Sequence, residues 1–395
     1  MLKRSLYYEA LPQVEHKNAI IICGMRQVGK TSLMRILFNE INAPKLLFDF
    51  DNPLDQIIFE AVDYNQIFND LKKLVSIKEG ERLFVFIDEI QNYPDITKVI
   101  KYLIDHYRVK FIVTGSSNFY LRNLFPESLT GRKFLYTLKP LSFSEFLYFR
   151  GKEGEESISE LKRKSLFKKH SRAEFEKRRS YYDEYVEYGG FPEVALTPDI
   201  STRQLVLRNI FSSFFEKDIR IFTELKEVRE LRDMILLLAP RNGNTIDISR
   251  IASELGISRV KVYSYIEYLQ GIFFLKLVSK HTGSIDKSVT AGKKVYFSDT
   301  GILNMIARVT EGQLFETAVC NQLDSWGNLS FYNKRNSAEI DFILNSETAL
   351  EVKMTAVKND IEKLKKLSGT LNINDYYVIS RKYSDMDRIV FAQFI

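Results

Sequence analysis

The segment that most constrains this 395-residue chain is a glycine- and lysine-containing loop near its amino terminus. Residues 24–31 read Gly-Met-Arg-Gln-Val-Gly-Lys-Thr, and they stand between an apolar run at 19–23 and a helix-like segment at 31–39. A loop between a buried strand and a helix turns backbone N–H groups toward one point, where the helix dipole also favours anions. The sequence therefore predicts a phosphate-binding loop that holds a nucleoside triphosphate.

The residue types at each position of this loop suit that role. Gly24 and Gly29 permit the tight path, Lys30 can reach the outer phosphates during catalysis, and the Thr31 hydroxyl can ligate magnesium. We expect nucleotide contacts from the whole loop and the next residue, namely Gly24, Met25, Arg26, Gln27, Val28, Gly29, Lys30, Thr31 and Ser32. The predicted cofactors are ATP and Mg²⁺. The alternative is a chance match in a turn, which the strand before and the helix after disfavour.

A second apolar run, residues 83–87, ends in two acids, Asp88 and Glu89. In a parallel sheet these carboxylates would lie at the carboxyl end of a buried strand, beside the phosphate loop. Asp88 is predicted to hold magnesium through water, and Glu89 is predicted to polarise the attacking water. Acids at a strand end can also be solvated turn residues. The catalytic interpretation of Asp88 and Glu89 therefore depends on the phosphate loop predicted beside them.

Two further polar positions are adjacent to the next apolar runs. Residues 110–113 lead into 114–118, where Asn118, or else Ser117, is the candidate to sense the terminal phosphate or orient the water. An ordinary polar turn is the alternative there. Arg132 precedes the apolar segment 134–138 and is predicted to stabilise charge on a neighbouring subunit's phosphate, although a simple surface arginine fits as well.

These motifs together resemble a family of prokaryotic AAA-type ATPases. The segments that carry the resemblance lie at 24–31, 86–91, 113–117, 129–132, 140–146, 188–193, 294–299 and 339–344. The resemblance covers nearly the whole chain and is weakest at 151–182. It implies an ATPase domain followed by a carboxyl-terminal domain of unknown function with a restriction-endonuclease-like core.

Composition and charge set the broad class. The hydrophobic fraction of 45% suffices for packed cores, and the two cysteines, Cys23 and Cys320, are interpreted as buried thiols. The start lacks the apolar core of a signal peptide and no run approaches the length of a membrane span, so a cytoplasmic protein without a membrane partner is predicted. A net charge of +6 is modest, and the basic run at 161–179 is either a solvated helical face or an arm that follows phosphates.

The order of helix-like and strand-like segments, together with this resemblance, predicts an α/β protein in four parts. These are a P-loop parallel-sheet ATPase domain, a helical lid or linker, a winged-helix-like domain and a small endonuclease-like α/β domain, at 1–145, 146–240, 241–298 and 299–395.

Residues 245–270 read as a helix-turn-helix, in which Ser258 caps the second helix. Val262 and its apolar neighbours are spaced to face inward, while Arg259 and Lys261 point elsewhere and are candidates for DNA contacts. Strand-like segments at 273–278 and 294–297 are predicted to form a hairpin wing. Many such modules instead dock proteins or act as spacers, and the pattern leaves both functions open.

The carboxyl-terminal strands carry a second set of charged residues. Glu339 and Asp341 share a face of one predicted strand, and Glu351 and Lys353 share a face of the next, because side chains alternate along a strand. In the resembling family an Asp followed by Glu-x-Lys forms a nuclease motif, which implies a metal held by Asp341 and Glu351. Glu316 would complete or orient that site, and Lys353 would position the metal-bound water or offset charge on the phosphate. The alternative is that these charged residues simply form the solvent-exposed face of a half-buried sheet.

The favoured interpretation is an ATPase whose nucleotide state controls a DNA-directed carboxyl-terminal module. A nucleotide switch without nuclease action, whose last domain holds DNA or a protein, is the second hypothesis, and a chaperone-like remodeller is the third. The partners considered are ATP, DNA, and either a second copy of the chain or another protein.

Overall fold

A computed structural model describes residues 1–78, 80–115, 131–159, 166–215, 225–282, 291–334 and 338–395. The sensor candidates Asn118 and Ser117 lie outside these residues. The described chain forms two compact units. The first is drawn from 1–139, 154–159 and 271–273, and the second from 140–153, 160–270 and 274–395.

The first unit is built on a five-stranded parallel sheet, as the sequence predicts. Its strands are β1 (Ala19–Cys23), β2 (Lys45–Asp49), β3 (Phe84–Asp88), β4 (Lys110–Gly115) and β5 (Lys133–Thr137). They lie in the order β2-β3-β4-β1-β5. All residues of β1, β3 and β4 are buried, which explains why these strands read as continuous apolar runs without alternation.

Helices connect and cover these strands. Among the described residues up to 139 they are α1 (Ser5–Ala10), α2 (Lys30–Glu40), α3 (Pro53–Gln56), α4 (Tyr64–Leu74) and α5 (Ile96–Tyr107). Helices α4 and α5 contribute Leu71 and Ile100 to a core that also contains Ile21, Val85 and Val113 of the central strands. This core packs against the strands and stabilises the sheet. The loops that follow the carboxyl ends of the strands therefore begin at well-defined positions.

The second unit begins with helices. Those that the structure describes between residues 140 and 271 are α6 (Phe143–Phe149), α7 (Glu156–Ser159), α8 (Arg172–Tyr188), α9 (Pro192–Leu196), α10 (Ile200–Ser213), α11 (Leu225–Leu238), α12 (Ile248–Leu255) and α13 (Arg259–Gly271). Of these, α7 groups with the first unit. Gly256 ends α12 in the left-handed region at φ 64°, and Ser258 Oγ accepts from Lys261 N at 3.2 Å, so the predicted turn and cap are confirmed. Val262 is fully buried, as its spacing predicts.

A seven-stranded sheet forms the rest of the second unit. Its strands are β6 (Leu275–Lys280), β7 (Lys293–Phe297), β8 (Leu329–Lys334), β9 (Ala338–Leu344), β10 (Thr348–Lys353), β11 (Asp375–Ser380) and β12 (Ile389–Phe391), in the order β12-β11-β10-β9-β8-β6-β7. The helices described alongside this sheet are α14 (Thr300–Ala307), α15 (Glu311–Leu323) and α16 (Lys358–Thr370).

The predicted hairpin is present, since β6 and β7 pair antiparallel with Leu275 opposite Phe297. It does not stand apart, however, because β6 also pairs with β8, with Ser279 opposite Ser330. One sheet therefore runs across the predicted boundary at residue 298, and the division into four domains stays a prediction. The unpaired backbone groups of an edge strand favour such an extension, which no short sequence pattern reports. Within the described residues, no helix is long and apolar enough to cross a bilayer.

Candidate functional site

The phosphate loop follows β1 at the carboxyl edge of the parallel sheet. Gly24 has φ 151°, and a Cβ placed there would lie 2.1 Å from the Leu138 carbonyl oxygen, so only glycine fits. Gly29 has φ 97° and stands at the N-cap of α2. Gln27 also has positive φ, at 62°, which is uncommon for a residue with a side chain. The loop thus has a specific backbone path that the two glycines make possible.

The start of α2 has the features of an anion site. The N-cap residue Gly29 provides no side-chain cap, and the N–H groups of the first turn lie at the positive end of the helix dipole. Lys30 is buried, and its Nζ donates to Gly24 O at 3.1 Å and to Met25 O at 2.8 Å. The ammonium group is thereby held over the loop, and the donor set fits a triphosphate.

The other predicted loop residues differ in their exposure. Met25 and Val28 are buried, Arg26 and Thr31 are half-buried, and Gln27 and Ser32 are exposed. Backbone contacts with phosphate do not require an exposed side chain, so this distribution is compatible with the prediction for each residue.

The two acids lie at the same edge of the sheet as the loop. In the strand register, Cys23 pairs with Gly115 and Ile87 pairs with Val113, so the ends of β1, β3 and β4 are level. Asp88 is buried and accepts a hydrogen bond from Thr114 Oγ1, which in turn accepts from Glu89 N at 3.1 Å. Carboxylate and hydroxyl oxygens are ligands that magnesium prefers, so Asp88 and Thr31 suit the ion that accompanies ATP.

Glu89 has an uncommon backbone conformation, and both Thr114 and Gln91 form hydrogen bonds with it. Its φ of 53° places it in the left-handed region, and Gln91 Nε2 donates to its Oε2 atom. Sequence reasoning missed both Thr114 and Gln91 because it looked further along the chain, at Ser117 and Asn118. One sequence signal could have identified Thr114, since it lies within the last two residues of a buried strand, next to the edge where the acids lie.

Arg132 lies at the opposite edge of the sheet. Its carbonyl oxygen accepts from Ala19 N, at the amino end of β1, at 2.8 Å, and its Nε donates to Asp105 Oδ1 at 2.7 Å. The arginine is therefore about five strand residues away from the phosphate loop of its own chain, or roughly 16 Å at 3.3 Å per residue. Action on a neighbouring subunit stays a prediction.

A second cluster of charged side chains lies in the seven-stranded sheet. Asp341 Oδ2 accepts from Val352 N at 2.8 Å, and Lys353 Nζ donates to Glu351 Oε1 at 2.6 Å. The other Glu351 oxygen, Oε2, is buried without a hydrogen-bond partner among the described residues. The sequence prediction that these strands place their charges together is supported by this arrangement.

Strand β7 adds two residues that sequence reasoning missed. Lys294 is buried, and its Nζ lies 2.7 Å from Glu339 Oε1 and 3.9 Å from Glu316 Oε1. Tyr296 OH donates to the same Glu316 oxygen at 2.6 Å. Only the pairing of β7 into the sheet with β9 and β10 brings these residues to the cluster, so spacing along the chain carried no signal for them.

Burial and like charge raise the carboxyl pKa values in this cluster. Burial, together with the charge of Asp341, raises the pKa of Glu316 to about 7, and the same two causes raise that of Glu351 to about 7. Burial likewise raises the pKa of Asp341. Burial alone would lower the pKa of Lys294, but the surrounding acids raise it overall.

The three predicted metal ligands, Glu316, Asp341 and Glu351, are not arranged as a single metal site. In the described part of the chain, no three His, Cys, Asp or Glu side chains are arranged to hold a metal ion together. In the structure, Glu316 contacts Tyr296 and Lys294. A site made from Asp341 and Glu351 alone, with Lys353 beside it, stays a prediction.

The candidate DNA-contacting residues lie on α13 in different surroundings. Arg259 is exposed, with Nη1 3.5 Å from Ser249 Oγ. Lys261 is half-buried, and its Nζ lies 2.6 Å from Glu230 Oε2 in an ion pair that raises the pKa of the lysine. The cation of Lys261 is thus already balanced within the protein, which weakens its assignment to DNA.

Comparison with known proteins assigns a class to part of the chain. Residues 16–147 match the model of a family described as an AAA domain, and residues 179–313 match one described only as a domain of unknown function. The phosphate loop and both acids fall in the first match. Residues 16–147 are thus an AAA-type, ATPase-like domain. The second description names no nuclease, so the endonuclease-like assignment stays a prediction.

Related proteins extend over most of the chain. An uncharacterized protein of Methanocaldococcus jannaschii is 28% identical over 368 residues, which are 88% of this chain and 77% of that protein. An uncharacterized protein of Haemophilus influenzae is 25% identical over 408 residues, or 98% of this chain and 96% of that protein. Their names assign no activity.

Two solved structures share a weaker likeness. A Walker-type ATPase of Pyrococcus abyssi has a TM-score of 0.47 at 16% identity and covers 76% of this chain and 94% of its own. The Thermotoga maritima RuvB Holliday junction branch migration motor has a TM-score of 0.28 at 17% identity, covering 69% and 86%. At TM-scores this low, neither likeness carries an argument about function.

Proposed function

We propose that this protein binds ATP with magnesium and hydrolyses it in its first unit. The observation that carries the proposal is the meeting of two sets of groups at one sheet edge. The first is the glycine-led start of α2 with Lys30, and the second is Asp88 and Glu89 joined through Thr114. Phosphoryl transfer requires mainly positioning and charge stabilisation, and these groups supply both.

Each residue has a distinct task in this reaction. The first-turn amides of α2 and the Lys30 ammonium bind the outer phosphates, and Thr31 and Asp88 would hold magnesium. When bound, the ion neutralises charge on the phosphate oxygens. Glu89 orients the water that attacks the terminal phosphorus and accepts its proton as the bond to ADP breaks. Thr114 fixes the positions of Asp88 and Glu89 relative to each other through its hydrogen bonds.

Binding and hydrolysis can be tested separately. Lys30→Ala is expected to weaken binding of a fluorescent ATP analogue, whereas Glu89→Gln is expected to retain binding and lose phosphate release. Glu81→Gln is a matched control, because Glu81 is an exposed acid that precedes the opposite end of β3. The parent protein failing to bind ATP with magnesium, or Glu89→Gln turning over like the parent, would overturn the proposal.

For the second unit, we propose a DNA-directed module with an endonuclease-like site that the nucleotide state controls. The proposal is supported by Asp341 and Glu351 on neighbouring strands, by Lys353 beside them, and by the buried Glu351 oxygen without a described partner. An antiparallel bridge between Thr245 and Lys294 adds a third strand position to the hairpin, as in a winged helix.

A non-catalytic module that holds DNA or a protein partner is the second candidate. It is favoured by Glu316, which Tyr296 and Lys294 already engage, and by the ion pair of Lys261 with Glu230. Exposed apolar side chains on α13, Val260 at 75% and Tyr263 at 60%, also suit a protein partner.

A plasmid assay with magnesium or manganese separates these two candidates. Cleavage by the parent that is lost in Asp341→Ala and Lys353→Ala supports a nuclease. Asp375→Asn is the matched control, because Asp375 is an exposed acid of the same sheet outside the cluster. No cleavage by the parent, or equal cleavage by all variants, would contradict the nuclease assignment.

A further inference from the structure

An arginine close to the amino terminus is buried against the phosphate loop. Arg4 precedes α1 and is only 4% exposed. Its Nη1 donates to the carbonyl oxygen of Val28, within the loop, at 2.8 Å, and its Nη2 donates to the carbonyl oxygen of Lys139 at 2.8 Å. One guanidinium group therefore connects the loop to the segment that follows β5.

The geometry of the loop explains why this contact matters. A loop that turns its N–H groups toward phosphate must turn carbonyl groups the other way, and a buried carbonyl needs a hydrogen-bond partner. Val28 is fully buried and lies between two residues of positive φ, Gln27 at 62° and Gly29 at 97°. Arg4 supplies a charged donor to this carbonyl and so stabilises the orientation of the neighbouring peptide groups.

The same amino-terminal segment also contacts the far end of α2. Tyr7 OH donates to Glu40, the last residue of the helix, and Lys3 Nζ lies 3.3 Å from Glu40 Oε1. Residues 3–7 thus contact both the loop and the end of the helix that follows it. Arg4 is the member of this segment whose contact reaches the phosphate-binding part.

We propose that Arg4 is a positioning residue of the ATPase, which orients the phosphate loop through the Val28 carbonyl. The inference rests on the proposed binding of ATP. The planar guanidinium group suits this task because its donors are fixed in a fork, so the two carbonyls it binds are held at a fixed separation. Loss of Arg4 leaves the Val28 carbonyl without this donor and lets the loop amides depart from the phosphate.

A purely structural arginine provides the matched control. Arg82 also donates to backbone carbonyls in the first unit, those of Arg108 at 2.8 Å and Glu15 at 2.9 Å. It precedes β3 and so lies at the amino edge of the sheet, away from the phosphate loop. Loss of Arg82 is expected to lower Tm without changing the affinity for ATP.

The experiment measures the Kd of the full-length protein for a fluorescent ATP analogue with magnesium, together with Tm and kcat. Arg4→Gln is expected to raise Kd by roughly tenfold or more, as loss of a charge-assisted hydrogen bond predicts. Arg4→Lys, which keeps the charge but not the fork, is expected to recover only part of the affinity. Added guanidinium ion at low millimolar concentration is expected to lower the Kd of Arg4→Ala toward that of the parent.

The outcomes separate this inference from the proposed function. If the parent does not bind ATP, the ATPase proposal fails and the role of Arg4 fails with it. If the parent binds ATP and folded Arg4→Gln binds equally well, only the inference about Arg4 is wrong. An equal loss of affinity in Arg82→Gln would also overturn it. If Arg4→Gln does not fold, the Kd of Arg4→Lys decides, and a parental value contradicts the inference.

Discussion

The Thr114 hydroxyl donates a hydrogen bond to the Asp88 carboxylate and accepts one from the backbone N–H of Glu89 at 3.1 Å. A single side chain on β4 thereby connects the predicted magnesium ligand, Asp88, to the predicted catalytic base, Glu89. Since the hydroxyl acts as donor and acceptor at once, its rotation is restricted by both partners. The two acids are held relative to each other by a residue outside their own strand.

We expect Thr114→Val to lower kcat for ATP hydrolysis by roughly 10- to 100-fold, because Glu89 loses the hydrogen bond that orients it. The affinity for ATP should change little, since the phosphate loop is untouched. Thr114→Ser keeps the hydroxyl and should retain most activity. Thr97→Val, at another buried threonine of the first unit, is the control for loss of a hydroxyl. Parental phosphate release in Thr114→Val would show that the bridge has no catalytic role.

Substitution of Gly24 should affect folding and binding together. A Cβ at this position would lie 2.1 Å from the Leu138 carbonyl oxygen, and φ is 151°. We expect Gly24→Ala to lower the free energy of unfolding by about 2 kcal/mol or more. Gly80→Ala is the control, because φ is also positive there, at 85°, but the space around a Cβ is open. Its expected cost is about 1 kcal/mol. Denaturant unfolding that shows equal costs for both would contradict this account.

The proposed role of Arg132 across a subunit boundary can be tested by mixing two inactive variants. Lys30→Ala lacks a working phosphate loop but keeps the arginine, and Arg132→Ala has the reverse defect. If the arginine acts on the neighbour, the mixture should recover activity, about a quarter of the parental value for freely exchanging dimers. Arg108→Ala, an exposed arginine beyond the end of α5, is the control. A mixture that stays inactive although the subunits exchange would argue against the role.

The stability of the second unit should depend on pH partly through Asp299, in addition to Glu316 and Glu351 of the acidic cluster. This buried carboxylate accepts from Gly190 N at 2.8 Å and from Ile302 N at 3.0 Å, and burial raises its pKa from 3.8 to about 6. Between those values the folded state binds more protons than the unfolded state, so its contribution to stability falls as pH rises. The shift of roughly 2 pKa units corresponds to about 3 kcal/mol at most.

Urea unfolding at several pH values between 4 and 7 measures this dependence. We expect Asp299→Asn to be less stable, because an amide has one acceptor oxygen for these donors, and to show a flatter dependence on pH in this range. Asp247→Asn controls for substitution at a helix cap, since Asp247 accepts from Arg250 N at 3.0 Å at an exposed site. An unchanged pH dependence in Asp299→Asn would mean that another group titrates.

Much of the fold followed from local patterns. The apolar runs before Asp88 and at Lys110 are buried parallel strands, and Gly256 and Ser258 lie at the turn between the two helices of the helix-turn-helix, as predicted. These elements were predictable because their signals lie in consecutive residues, where periodicity and capping act. The inward-facing position of Val262 on α13 was also predictable, but the ion pair of Lys261 with Glu230 was not, since it depends on the packing of α11 beside α13.

The sequence alone determined the phosphate loop, because Gly24, Gly29 and Lys30 act through backbone geometry within a few consecutive residues. Tertiary structure decided which distant groups support that loop and the acidic cluster. Arg4 reaches Val28 across 24 positions, and Lys294 reaches the acids of β9 only because β6 and β7 join their sheet. Such contacts depend on chain packing and strand pairing, which local periodicity does not encode.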